Sequence, residues 1–355
     1  MTNNDRLVAW LENTVRQRYT GQVALVCLYG SYINGTEEHG SDVDCYFVPK
    51  TEEGLKLART FLLDGVGYDI FPMGWERLEA IANLQTSQQP LVGDVQVLYA
   101  DTPDDLARFK RIQQLLKTNL QDVDFRKKAA EQRFLRAFSR LPMEQYTLKE
   151  SRLSSGGMLM DIAEGLAYER GDYYHRGLKT QFSDLLQLED LPEGLAETYR
   201  TVVQSTTAEA LHKTSLALLS KIDCPKSDPQ PPAWPDAPDA GQDLAGLYEE
   251  ISSTFGKIYR CATKNDPILA FLSAVCLQWE LPWLDVLSSY DYHDLTTFAQ
   301  RVRQEEAKLR QRISQTGGRL RNIPILKPFY RRKYKRTPVS VVDTGDFFQI
   351  QGRTI

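Results

Sequence analysis

The stretch from Tyr29 to Asp44 joins a Gly-Ser turn to two carboxylates two positions apart. On an extended strand, side chains at i and i+2 leave the same face, so Asp42 and Asp44 are expected to aim at one place. Gly30 lets the backbone come close to a phosphate, and the N–H groups after it and the Ser31 hydroxyl can donate to phosphate oxygens. The Gly40-Ser41 pair is expected to set the carboxylates in the same way, with Ser41 beside the same ligand, whereas His39 reads as a solvated loop residue. Two convergent carboxylates next to a phosphate-holding turn suit Mg²⁺ carrying a nucleotide.

Transfer of a nucleotidyl group uses two metal ions, one at the attacking oxygen and one on the triphosphate, held by two or three carboxylates on rigid elements. Asp42 and Asp44 supply two of these. The third candidate is Asp69, framed by Tyr68, Ile70 and Phe71, because a charge in a core-like strand is costly unless it is paired or bound to metal. Each aspartate alone reads equally well as a turn or capping residue. The order of strand, Gly-Ser, Gly-Ser-Asp-x-Asp and a second strand bearing Asp is what gives the set its weight.

These residues need a sheet to hold them. After a helix at about 4–18, the apolar run 22–29 reads as a strand entering a turn, 42–48 as a second strand stopped by Pro49, 67–71 as a third stopped by Pro72, and 94–99 as a fourth. A helix is expected between the second and third strands, from Glu52 to Leu63. From about 104 the pattern becomes helical, with candidates at 104–119, 122–140, 157–170, 176–187 and 194–221. The expected class is α+β: a small mixed-sheet domain at 1–105, then an all-α bundle at 106–222. Residues 223–242 carry the prolines of an extended connection. A further helical region is expected at 243–320, ended by Gly317-Gly318. A basic tail at 321–355 contains the aromatic and basic patch 327–336 and a β-like segment at 339–342.

The composition narrows the class. The 355 residues are 42 % hydrophobic and 25 % charged with a net charge of −4, which gives no global attraction to nucleic acid or anionic membrane. Docking of nucleic acid through 327–336, where Tyr and Arg alternate, is therefore not favoured. The most apolar run, 268–284, is broken by Gln278, Glu280 and Pro282 and reads as a buried helix. No basic-then-apolar leader opens the chain, so a cytoplasmic protein with no membrane span is expected. Five scattered cysteines without a Cys-x-x-Cys pair support neither a disulfide framework nor a zinc site.

Gly30-Ser31, Asp42-x-Asp44 and Asp69 together resemble the signature of the DNA polymerase β-like nucleotidyltransferase superfamily. Gly93–Tyr99 and Glu169–Lys179 are similar to the bacterial branch that holds kanamycin-type aminoglycoside nucleotidyltransferases and minimal nucleotidyltransferases. The resemblance implies transfer of a nucleoside monophosphate, AMP from ATP, to a hydroxyl acceptor, with two Mg²⁺ ions on Asp42, Asp44 and Asp69 and release of pyrophosphate. It also implies a general base from the helical part, for which Glu164 fits, on a helix face with Asp161 and Tyr168, and a triphosphate contact from Lys179. The acceptor stays open among a small molecule, a protein and an RNA end, the last two in a toxin–antitoxin or defence setting. Three rivals are weighed against this: a cyclic oligonucleotide synthase, a helical ribonuclease using Arg170 and His175, and a non-catalytic binding protein.

Overall fold

The computed structural model describes residues 2–37, 41–223, 244–315, 320 and 322–323. The expectations for His39, Gly40, Gly317-Gly318, the basic patch 327–336 and the segment 339–342 lie outside the described residues, as does all of 223–242 but Asp223.

The chain divides into two compact units, one made of 1–116, 242–253 and 313–355, the other of 117–241 and 254–312. The region expected as a separate helical part, 243–320, is shared between them. The first unit begins with α1 (Asn3–Arg18), whose Thr2 and Asp5 form a capping box, satisfying amides that a helix start leaves open. Its Leu7, Leu11 and Val15, one face at helical spacing, are buried.

Around α1 the chain lays down a mixed sheet, confirming the α+β class. Its strands are β1 (Val23–Tyr29), β2 (Asp44–Pro49), β3 (Arg59–Leu63), β4 (Val66–Pro72), β5 (Gln96–Ala100) and the two-residue β6 (Asn322–Ile323), in the order β5-β1-β2-β4-β3-β6. β1 pairs antiparallel with β2 and β5, β2 parallel with β4, and β3 antiparallel with β4. Short helices α2 (Glu52–Leu55), α3 (Trp75–Ala82) and α4 (Pro90–Gly93) connect strands, and α5 (Pro103–Gln121) follows β5.

The helix expected over 52–63 is a correction. Only its first turn forms, and 59–63 is a strand that reverses into β4 across Asp64 and Gly65 with Leu63 opposite Val66. Both turn residues have positive φ, 52° and 80°, the backbone of a two-residue hairpin turn favoured by Asp-Gly. The start of the tail also differs: Asn322 and Ile323 pair parallel with Leu62 and Leu63 and extend the sheet.

The second unit is helical: α6 (Val123–Ser139), α7 (Leu148–Glu169), α8 (Gln181–Leu185), α9 (Leu195–Gln204), α10 (Ala208–Leu219), the C-terminal part of α11 (Leu244–Lys264), α12 (Pro267–Glu280) and α13 (Leu295–Gln315) up to Arg312. The long helix expected over 194–221 is two, broken at Ser205, where Thr207 caps the second. α7 starts nine residues earlier than expected because Thr147 and Glu150 form a capping box. Glycines let its neighbours approach: a Cβ on Gly156 would lie 2.3 Å from Val275, and one on Gly165 2.4 Å from Phe134.

Candidate functional site

Strand alternation decides which side chains can meet. Cys45 and Phe47 of β2 and Tyr68 and Ile70 of β4 enter the core beneath α1, so Asp44 and Tyr46, and Asp69 and Phe71, occupy the opposite face. Tyr46 lies 6.2 Å, centroid to centroid, from both Tyr29 and Phe71 on that face. Asp44 is paired with Tyr29 across β1. The parallel register of Cys45 with Ile70, taken one step back on both strands, sets Asp44 beside Asp69.

The Gly-Ser turn and the carboxylates are one place. Gly30 has φ 78°, and a Cβ built on it would stand 2.0 Å from Asp44 Oδ2, so only glycine fits against that carboxylate. Beyond it the chain turns, with the Asn34 amide donating to Gly30 O at 3.3 Å and the Thr36 amide to Ser31 O at 3.0 Å. The first turn of α1 holds this loop at both ends. Asn4 Nδ2 donates to Glu37 Oε1 at 2.5 Å and to Ser41 O at 3.2 Å. The Tyr68 hydroxyl donates to Asn4 Oδ1 at 2.6 Å and that of Tyr32 to Asp5 Oδ1 at 3.0 Å. Asn4 therefore ties Ser41, just ahead of Asp42, to the core face of β4.

The electrostatics match the geometry. Burial, then the negative charges of Glu250, Asp42 and Asp44, push the Asp69 carboxyl well above the usual carboxylate range. Burial and Asp44, Asp69, Cys45 and Asp42 likewise raise the Tyr29 phenol. Asp69 Oδ1 is buried and accepts no hydrogen bond among the described residues. A half-buried group of repelling oxygen donors is costly alone and suits a hard divalent cation that neutralises it. Among the described residues no group of three or more His, Cys, Asp or Glu side chains is placed so that it could hold a metal ion; the carboxylates act on one another through charge.

The sequence reading missed two members of this neighbourhood. Asn4 is a buried polar residue on an otherwise ordinary amphipathic helix. Glu250 comes from α11, and no local pattern marks it.

Glu164 and Lys179 belong to the second unit. The polar face expected to meet water or substrate is packed against α6: Glu164 Oε2 lies 3.0 Å from Arg133 Nη1, and Asp161 Oδ2 2.9 Å from Arg140 Nε. Tyr168 on that face is buried. Burial pushes the Glu164 carboxyl up to about 7, against the lowering pull of Arg133. Its contacts make Glu164 the counter-charge of a buried arginine. Lys179 is exposed, at the end of the 3-10 turn Gly177–Lys179.

The ribonuclease reading loses its phosphate clamp. The Arg170 guanidinium donates to Glu189 O, Asp190 O and Leu166 O at 2.6, 2.7 and 3.0 Å. His175 Nε2 lies 3.1 Å from Asp172 Oδ1 at the surface.

Among the described residues no helix is long and apolar enough to cross a membrane. No curated protein matches the chain. Residues 8–136, which contain β1 to β5 and all three aspartates, match the family model of the nucleotidyltransferase domain, which supports nucleotidyl transfer in general.

Proposed function

We propose that the chain is a Mg²⁺-dependent nucleotidyltransferase that moves AMP from ATP to a hydroxyl acceptor and releases pyrophosphate. The observation that carries this reading is the contact of Gly30 with the Asp44 carboxylate, in register beside Asp69: a phosphate-holding turn and a carboxylate group share one face of the sheet. In this reading Asp42 and Asp44 hold both cations and Asp69 the one nearest the acceptor. The amides after Gly30 and the Ser31 hydroxyl hold the triphosphate, with Ser41 flanking them. The cations, when bound, neutralise triphosphate charge and favour the deprotonated acceptor. The acceptor hydroxyl gives its proton to solvent, its oxygen forms a bond to the α-phosphorus, the bond to the bridging α–β oxygen breaks, and pyrophosphate leaves with the electron pair.

Glu164, held by Arg133, is given no proton-transfer role. A small hydroxylated molecule is the acceptor this reading favours, because it accords with the aminoglycoside-type resemblance of 93–99 and 169–179.

The test is incubation with each α-³²P-labelled nucleoside triphosphate and a panel of acceptors: aminoglycosides, tRNA, cell lysate and the protein itself. Labelled small molecule from ATP is the expected product, and Asp44→Asn should lower the rate at least about a hundredfold with the fold retained. A cyclic or oligonucleotide product would replace the reading with that of a synthase. Undiminished labelling by Asp44→Asn would overturn the metal assignment.

A further inference from the structure

One buried side chain on α1 reaches the segments that carry two of the three aspartates. Asn4 is 7 % exposed, and both ends of its amide are engaged. Nδ2 donates to Glu37 Oε1 at 2.5 Å and to Ser41 O at 3.2 Å, while Oδ1 accepts from the Tyr68 hydroxyl at 2.6 Å. A carboxylate and a carbonyl only accept, which fixes the orientation of the amide and leaves its oxygen to the phenol. Ser41 directly precedes Asp42, and Tyr68 directly precedes Asp69. The last pair of the β1–β2 ladder is Tyr29 with Asp44, so Asp42 lies ahead of the ladder. It stands between Val43, buried in the core under α1, and Ser41, bonded to Asn4. The same helical turn reaches the loop after Gly30, where the Tyr32 hydroxyl donates to Asp5 Oδ1 at 3.0 Å, and the capping box of Thr2 and Asp5 fixes the turn itself.

We infer that Asn4 is a positioning residue of the site: it sets the segment bearing Asp42 against the strand bearing Asp69 and holds the loop after Gly30 in the shape that receives phosphate, without touching substrate itself. This rests on the nucleotidyl-transfer reading and adds to it a residue from a helix that carries no motif. Aspartate at position 4 would have nearly the same size, yet it lacks both donors and would face the Glu37 carboxylate. The place therefore requires the amide and not merely its volume.

Binding of α,β-methylene-ATP with Mg²⁺ to the full-length chain, read by calorimetry, tests this without turnover, and hydrogen exchange reads the loop directly. Asn4→Asp and Asn4→Ala should each bind the analogue at least about tenfold more weakly, with faster exchange at the Asn34 and Thr36 amides that close the loop. If Asn4→Ala does not fold, the nearly isosteric Asn4→Asp carries the test. Asp101→Asn is the control for stability alone. Asp101 accepts from the Gly21 amide at 2.9 Å and the Lys50 ammonium at 2.6 Å at the far end of β1, so this variant should lose stability and bind as the wild type does. Wild-type affinity in the Asn4 variants, with Asp44→Asn weakened, overturns the role of Asn4 alone. An equal loss in Asp101→Asn overturns it too, since the weakening would then follow stability. Unchanged binding in Asp44→Asn as well overturns the parent reading.

Discussion

At the scale of single residues, the site turns on how closely a backbone can approach a carboxylate. Gly30 combines a left-handed φ with a Cα lying against Asp44, so Gly30→Ala meets two costs. The backbone strain is about 1–3 kcal/mol, and the methyl group must displace the Asp44 carboxylate. The variant is expected to show a lower urea midpoint together with weakened binding of Mn²⁺ and ATP by calorimetry. Gly35 supplies the control: its φ is 63° but nothing lies within 4 Å of a Cβ there. Gly35→Ala should therefore cost about 1 kcal/mol of stability and leave ligand binding at the wild-type level. Equal loss of binding in both variants would show that loop backbone, and not contact with Asp44, sets affinity.

At the scale of elements, α6 and α7 are joined by charges that neither helix could keep buried alone. Arg133 faces Glu164 and Asp161, and Arg140 faces Asp161 while its guanidinium also covers the Trp279 ring. Glu164 has a folded-state carboxyl raised from its ordinary value of 4.5 to about 7. Its contribution to stability is thus present below about pH 4.5 and is lost as pH rises through about 7. Glu164→Gln, which does not titrate, removes that dependence. The stability of the wild type relative to this variant should be greatest near pH 4 and fall toward pH 8 by up to about 3 kcal/mol, measured by urea denaturation across that range. A constant difference between the two proteins would show that the carboxyl titrates normally.

At the scale of the whole molecule, the sheet unit is assembled from segments far apart in the chain, with 244–253 returning to cover β4. A chain ending at residue 223 should expose the Gly67 face, and amides of β3 and β4 should exchange faster than in the full protein, as read by hydrogen exchange. Unchanged protection would mean that α11 contributes nothing to the sheet. Much of the first unit was legible because its signals are local. The β1 apolar run, the prolines ending β2 and β4, and the Gly-Ser and Asp-x-Asp pattern each depend on a few neighbouring residues. The Asp64-Gly65 turn was equally local, yet the apolar spacing of 52–63 also suits a helix, and the pairing of β3 with β4 settled it. Period 2 placed Asp42 and Asp44 on one face, and charge in an apolar frame singled out Asp69. The sequence could not show that the polar face of α7 is buried, because Arg133 and Arg140 reach it from another helix. Nor could it show Glu250, whose meaning depends on a helix landing beside β4. Local backbone geometry determined the turn and the three aspartates; packing between distant segments decided which other charges they meet.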